Sequence, residues 1–190
     1  DVGGAFGTRN ALNPEFALIA WAARLLGRPV KHVAERQEAF ITDYQARDLW
    51  VEAELALDRD GNFLALRSSN LSNVGAHTAS FVALNKGAEL MTSVYRVPAV
   101  FVRARAAMSH TPPTIPFRSA GRPEAIFAVE RLIDIAARDH GFDPVALRRR
   151  NLVPPDAFPH ANGLGITYDS GDYPRVLATA LELGDWAGFP

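Results

Sequence analysis

The chain has 190 residues, with 20 lysines and arginines against 21 aspartates and glutamates; a net charge of −1 excludes a general attraction to nucleic acid or to an anionic membrane. Hydrophobic residues make up 48% and charged residues 22%, the balance of a globular chain long enough to bury a core as one large domain or two small lobes. Cysteine is absent, which excludes disulfides, thiolate metal sites, iron–sulfur ligation and cysteine nucleophiles within this chain.

The first ten residues read Asp-Val-Gly-Gly-Ala-Phe-Gly-Thr-Arg-Asn. Three glycines around Phe6 suit neither helix nor strand and predict a loop whose backbone N–H groups come close to a ligand. The other reading is a tight glycine turn beside a core Phe. The G-x-G-x-x-G spacing is absent and no strand precedes the loop, which argues against a dinucleotide-binding turn. Because the chain opens at Asp inside this loop, it reads as a fragment of a longer protein. Within these residues no signal-peptide pattern and no apolar run of transmembrane length is read, so no membrane insertion of this stretch is expected.

Asn13-Pro14-Glu15 has the form of an N-cap, a proline in the first turn and an acidic residue, and the apolar run that follows predicts a helix to a C-cap at Gly27. So few polar residues interrupt it that burial on most sides is expected. Pro29 to Val33 reads as a short strand and Ala34 to Glu38 as a polar link, with Phe40 and Ile41 as core anchors. Glu35, Arg36 and Glu38 suit a solvated or salt-bridged face better than catalysis. His32 has no second histidine at metal-ligand spacing, so no metal held by protein side chains is expected.

Residues 50–58 alternate with period two, Asp60-Gly61-Asn62 supplies a turn, and 63–71 return, predicting an antiparallel hairpin. Residues 80–93 fit a loop or a short helix, with Lys86 at the surface, and 99–106 form a further strand. A second punctuated loop, residues 111–123, sets Arg118 and Arg122 around Ser119-Ala120-Gly121. Pro123-Glu124 then opens an amphipathic helix that ends near Gly141, and Asp143-Pro144 opens another that reaches Arg148-Arg149-Arg150-Asn151. Three arginines there suit a helix C-terminus as well as a phosphate. A Pro/Gly-rich stretch and a last amphipathic helix, from Asp172 to about Leu183, complete the chain. Helices flanking strands that include a hairpin predict an α+β fold rather than a doubly wound sheet. Two Gly/Arg-rich loops in one domain are what an anionic cofactor site needs.

These motifs together resemble the molybdenum-binding subunit of the xanthine dehydrogenase, aldehyde oxidase and carbon monoxide dehydrogenase family. The resemblance rests on Asp-Val-Gly-Gly-x-Phe-Gly, on Pro29-Val30 followed by Glu35-Arg36, and on Ser72-Asn73-Val74-Gly75. It continues through Tyr95-Arg96-Val97-Pro98, Phe117-Arg118-Ser119-Ala120-Gly121-Arg122-Pro123-Glu124 and Leu147-Arg148-Arg149-Arg150-Asn151-Leu152, and so runs over essentially the whole chain.

The resemblance implies a molybdopterin-type molybdenum cofactor, its cytosine dinucleotide form included, with an oxo–sulfido centre that hydroxylates an aldehyde or an N-heterocycle, or that of a carbon-monoxide-dehydrogenase-like homologue. It implies iron–sulfur clusters and FAD on partner domains or subunits, a cytoplasmic location, and residues 1–190 as the N-terminal part of a two-lobed molybdopterin-binding domain. The half carrying the catalytic glutamate would lie outside the chain, which alone should not turn over. Gly4, Ala5, Phe6 and Gly7 match the loop lining the molybdenum site, and Phe117 and Arg118 match the pair beside the metal, with Phe6 and Arg118 closest to the chemistry. Asn10, Lys86, Ser119 and Ala120 fall at substrate-pocket positions. Purine-hydroxylating members carry glutamate, arginine and phenylalanine where this chain has Asn10, Lys86 and Ala120, which argues against a purine. Ser119 stands where copper-containing carbon monoxide dehydrogenases have a cysteine, so no copper–thiolate bridge forms. The alternative within the same fold is a non-catalytic assembly or scaffold domain.

Overall fold

The computed structural model describes residues 4–189. After a single 3₁₀ turn at Thr8–Asn10, two helices come first, α1 (Pro14–Leu26) and α2 (Arg36–Thr42). The predicted hairpin follows as β1 (Leu49–Leu57) and β2 (Phe63–Gly75), antiparallel and in register from Leu49 opposite Ser72 to Ala56 opposite Ala65. The turn closes on Asp58, whose Oδ1 accepts the Asp60 and Asn62 N–H groups at 2.9 and 2.8 Å. The ambiguous segment forms α3 (Val82–Glu89), which leads to β3 (Ala99–Met108), parallel to β2. The sheet order is therefore β1-β2-β3, mixed, with the hairpin at one side and a crossover at the other.

α4 (Arg122–His140) covers one face of this sheet, running between Gly121 and Gly141, both at positive φ. Ala125, Val129, Ile133 and Ala136 recur at helical spacing and are buried against Phe63 and Leu66 of β2, together with Met91, Tyr95, Leu147 and Leu152. Each large aliphatic side chain buried there contributes about 1.5–3 kcal/mol. α5 (Pro144–Asn151) starts where the Asp143 carboxylate accepts the Ala146 N–H at 2.6 Å. Its last residue, Asn151, is buried and locks the hairpin: its Oδ1 accepts the Phe63 N–H at 2.8 Å and its Nδ2 donates to the Gly61 carbonyl at 2.9 Å. Arg148 is committed to Glu130 and Asp134 on α4, at 2.8 Å each, so it braces α5 against α4. The tail adds a two-residue ladder between β4 (His160–Ala161) and β5 (Thr167–Tyr168), then α6 (Tyr173–Leu183) capped by Asp172.

The α+β architecture matches the sequence reading, but the N-terminal third does not match it in detail. Pro29 to Val33 form no strand, and Val33 is exposed. The polar link Ala34 to Glu38 contains the start of α2, where Glu35 and Glu38 form a reciprocal capping box. Phe40 and Ile41 are not core anchors; they are 78% and 75% exposed. α1 has no buried residue, and Trp21, Leu18 and Leu25 are open to solvent. The physical reason is that neither helix is among the elements packed on the sheet, so their apolar faces have no cover within the described residues. Apolar patterning reports that a face is to be covered, not which piece of chain covers it.

Candidate functional site

The first loop, from Gly4 to Asn10, and the second, from Pro116 to Gly121, meet edge to edge. The Arg118 N–H donates to the Phe6 carbonyl at 2.8 Å, joining segments more than a hundred residues apart. Gly7, at φ 94°, makes the approach possible, because a Cβ there would stand 2.5 Å from the Pro116 carbonyl oxygen. Gly4 serves differently: a Cβ would meet the Phe6 ring at 2.6 Å, so the ring lies back over the glycine backbone. Phe6 is 57% exposed and is not the core Phe of the alternative turn reading. Ala5 is exposed beside it. Asp1, Val2 and Gly3 of the motif lie outside the described residues.

The second loop turns sharply. Arg118 and Ser119 both have positive φ, 26° and 63°, followed by Gly121 at 86°. Arg118 and Ser119 are exposed, whereas the Ala120 methyl is turned inward and 8% exposed. Of the residues assigned to a substrate pocket, Ala120 therefore presents no side-chain surface in this chain. Lys86 sits on α3, whose backbone packs directly on Gly121, and its Nζ pairs with Glu89 Oε2 at 2.6 Å. Asn10 ends the 3₁₀ turn and is exposed; its neighbour Arg9 pairs with Asp43 at 2.9 Å, tying the first loop to the end of α2. The fold thus brings Phe6 and Arg118 into one junction and sets Lys86 on the helix that backs the second loop.

A hub at the end of β2 holds the second loop's approach. Asn73 Nδ2 donates to Asp48 Oδ2 at 2.8 Å and to Thr111 Oγ1 at 3.0 Å, while its Oδ1 accepts from the Gly75 N–H and the Ser109 hydroxyl. Gly75 leaves room for the chain itself, since a Cβ there would lie 2.5 Å from the Pro113 Cα. The Ser72-Asn73-Val74-Gly75 motif accordingly fastens the segment 111–114.

Arg47, just before β1, was missed by sequence reasoning. Its Nη2 donates to the Phe117 and Arg118 carbonyls at 2.9 and 2.7 Å, and its Nη1 pairs with Glu124 at 3.1 Å. Phe117 lies under it, with the guanidinium carbon 5.7 Å from the ring centroid. Seventy residues separate it from its partners, so no local pattern announces it.

Chemically, the junction offers two things: the exposed Phe6 ring and a guanidinium. The Arg118 and Arg122 side chains have no hydrogen-bond or ion-pair partner among the described residues, whereas Arg9, Arg47 and Lys86 are all paired. A guanidinium stays charged at any working pH and donates in a planar fork, so the donor set fits a group rich in anionic oxygens. Grooves of about 410 and 510 Å³ flank the junction, the first lined by Arg9, Asn13, His32 and Asp43, the second by Arg47, Glu124 and Phe127; neither is lined by Phe6 or Arg118. No helix of the described residues is long and apolar enough to cross a membrane.

Known proteins place this arrangement in context. The chain is 34% identical over 98% of its length to subunit gamma of the 6-hydroxypseudooxynicotine dehydrogenase complex of Paenarthrobacter nicotinovorans. It is 31% identical, again over 98%, to the carbon monoxide dehydrogenase large chain of Hydrogenophaga pseudoflava. It spans 24% of the length of each of these relatives. Quinoline 2-oxidoreductase from Pseudomonas putida 86 superposes with a TM-score of 0.91 at 36% identity, over 100% of this chain and 25% of that one. The aldehyde oxidoreductase of Desulfovibrio gigas superposes with a TM-score of 0.83 at 26% identity, over 97% of this chain and 20% of that one. Residues 1–152 match the model of the molybdopterin cofactor-binding domain, and the chain belongs to that family.

Proposed function

We propose that this chain forms one wall of the molybdenum site in a hydroxylase acting on an aldehyde or an aromatic N-heterocycle. The observation that carries the reading is the junction of the two loops, with the Arg118 N–H on the Phe6 carbonyl and the Arg118 guanidinium left unpaired among the described residues. Gly4, Ala5, Phe6 and Gly7 would hold the molybdopterin cofactor through backbone and ring contact, and Phe117 and Arg118 would face it from the other loop. When bound, the cofactor supplies two-electron oxidation with insertion of a hydroxyl group. Arg118 acts by charge: fixed and solvent-facing, it stabilises negative charge developing on the substrate oxygen. Asn10, Lys86 and Ser119 contribute the polar rim that orients the substrate, and Ala120 supports it from beneath.

Relatives named for 6-hydroxypseudooxynicotine, quinoline and aldehyde oxidation support this substrate class. The open apolar faces of α1 and α2, together with a chain spanning a quarter of its relatives, support residues 1–190 as the N-terminal part of a larger molybdopterin-binding subunit. That subunit would supply the catalytic glutamate and pair with iron–sulfur and flavin subunits, and the pterin to assay for includes the cytosine dinucleotide. Elemental mass spectrometry of the purified parent complex tests the reading, with near-stoichiometric molybdenum expected. Replacing Arg118 by alanine should lower turnover by about 10²-fold or more while metal content and folding stay unchanged. A correctly folded parent without molybdenum would instead favour a scaffold domain.

A further inference from the structure

We propose that Arg47 and Glu124 are positioning residues that set the direction of the Arg118 side chain by clamping the backbone on which it stands; the inference rests on the proposed function. Arg118 and Ser119 are consecutive non-glycine residues at positive φ, a conformation that persists only where the surroundings hold it. Besides the Arg118 N–H on the Phe6 carbonyl, the one side chain among the described residues that holds it is Arg47, whose Nη2 donates to the carbonyls of both Phe117 and Arg118 at 2.9 and 2.7 Å. In an extended strand successive carbonyls point to opposite sides, so one donor can gather two neighbours only where the chain turns as it does here.

The donor is itself fixed. Arg47 Nη1 is paired at 3.1 Å with Glu124, whose side chain is 11% exposed in the first turn of α4, and the guanidinium rests on the Phe117 ring. Arg47 also has φ 63°, so both sides of the clamp have strained backbone. The clamp does not neutralise Arg118: its contact with that residue goes to the main-chain oxygen, and the Arg118 guanidinium stays unpaired among the described residues. A lysine at 47 keeps the charge but cannot span two carbonyls and a carboxylate with one nitrogen.

The test uses the complete holoenzyme with the variants Arg47→Gln, Arg47→Lys and Glu124→Gln, read by hydrogen exchange of residues 116–122, by molybdenum content, and by kcat and KM. The clamp predicts faster exchange in that segment with α4 core amides unchanged and wild-type molybdenum. It predicts kcat lowered about 10- to 100-fold with little change in KM for Arg47→Gln, and smaller losses for Arg47→Lys and Glu124→Gln. Unchanged exchange at 116–122 in every variant that folds overturns the clamp. Faster exchange with undiminished kcat overturns the positioning role. Wild-type holoenzyme free of molybdenum overturns the functional reading itself, and this inference with it.

Discussion

Replacing Asn151 by alanine tests the account of how the hairpin and α5 are joined. Asn151 is 4% exposed and makes three side-chain bonds: it accepts from the Phe63 N–H at 2.8 Å and donates to the Gly61 and Leu147 carbonyls at 2.9 Å. Truncation leaves the Phe63 N–H buried without a partner, which costs about 1–3 kcal/mol, and removes two bonds worth about 1 kcal/mol each. Relaxation of the turn recovers part of this, so the expected loss is about 3 kcal/mol. For a chain of this size that lowers the melting midpoint by about 6–12 °C. Asn151→Asp retains the acceptor for Phe63 but strips both donors and buries a charge, so it should be no better. Calorimetry or thermal circular dichroism of the purified protein provides the measurement. A midpoint within about 2 °C of wild type for both variants would refute the lock and shift the weight to apolar packing.

Two further outcomes are expected. Gly75→Ala forces a methyl against the Pro113 backbone at positive φ and should destabilise by more than about 2 kcal/mol, with faster proteolysis within 109–116 as the specific sign. Burial and the neighbouring Glu130 carboxylate raise the Tyr95 phenol well above its ordinary value, with its hydroxyl donating to Glu130 at 2.8 Å. Between the unfolded and folded values the unfolded chain has released this proton and the native chain has kept it, so stability should fall as pH rises past about 10. Tyr95→Phe should flatten part of that fall, and an unaltered slope would count against it.

The parts of the fold written in local pattern were legible. Asp58 through Asn62 announces its turn, the residues beside it alternate, and Ala125, Val129 and Ile133 repeat at helical spacing. The Glu35–Glu38 capping box went unread because glutamate is not among the favoured capping residues, although the reciprocal geometry is present. Phe40, Ile41 and Trp21 mislead because hydrophobicity does not say which piece of chain supplies the cover, and no sheet face among the described residues packs on them. At the site, the two loops were found by their glycines and arginines. Arg47 was not, since its role depends on a positive φ and on carbonyls seventy residues away, neither of which leaves a trace in the neighbouring sequence.

The contact between Gly121 and α3 has a consequence for how such a site can diversify. A Cβ at Gly121 would collide with the Ala83 carbonyl and the Gly87 N–H, so helix and loop touch through main chain on both sides. A seam without side chains offers mutation nothing to adjust: residue 121 must stay glycine or the seam parts. Position 86 lies in the same stretch of helix, but its side chain points to Glu89, with which it pairs at 2.6 Å, rather than into the main-chain seam. The joint therefore ties the position of the second loop to that of α3, so a shift of the helix is passed to residues 118–121 without any side chain to absorb it.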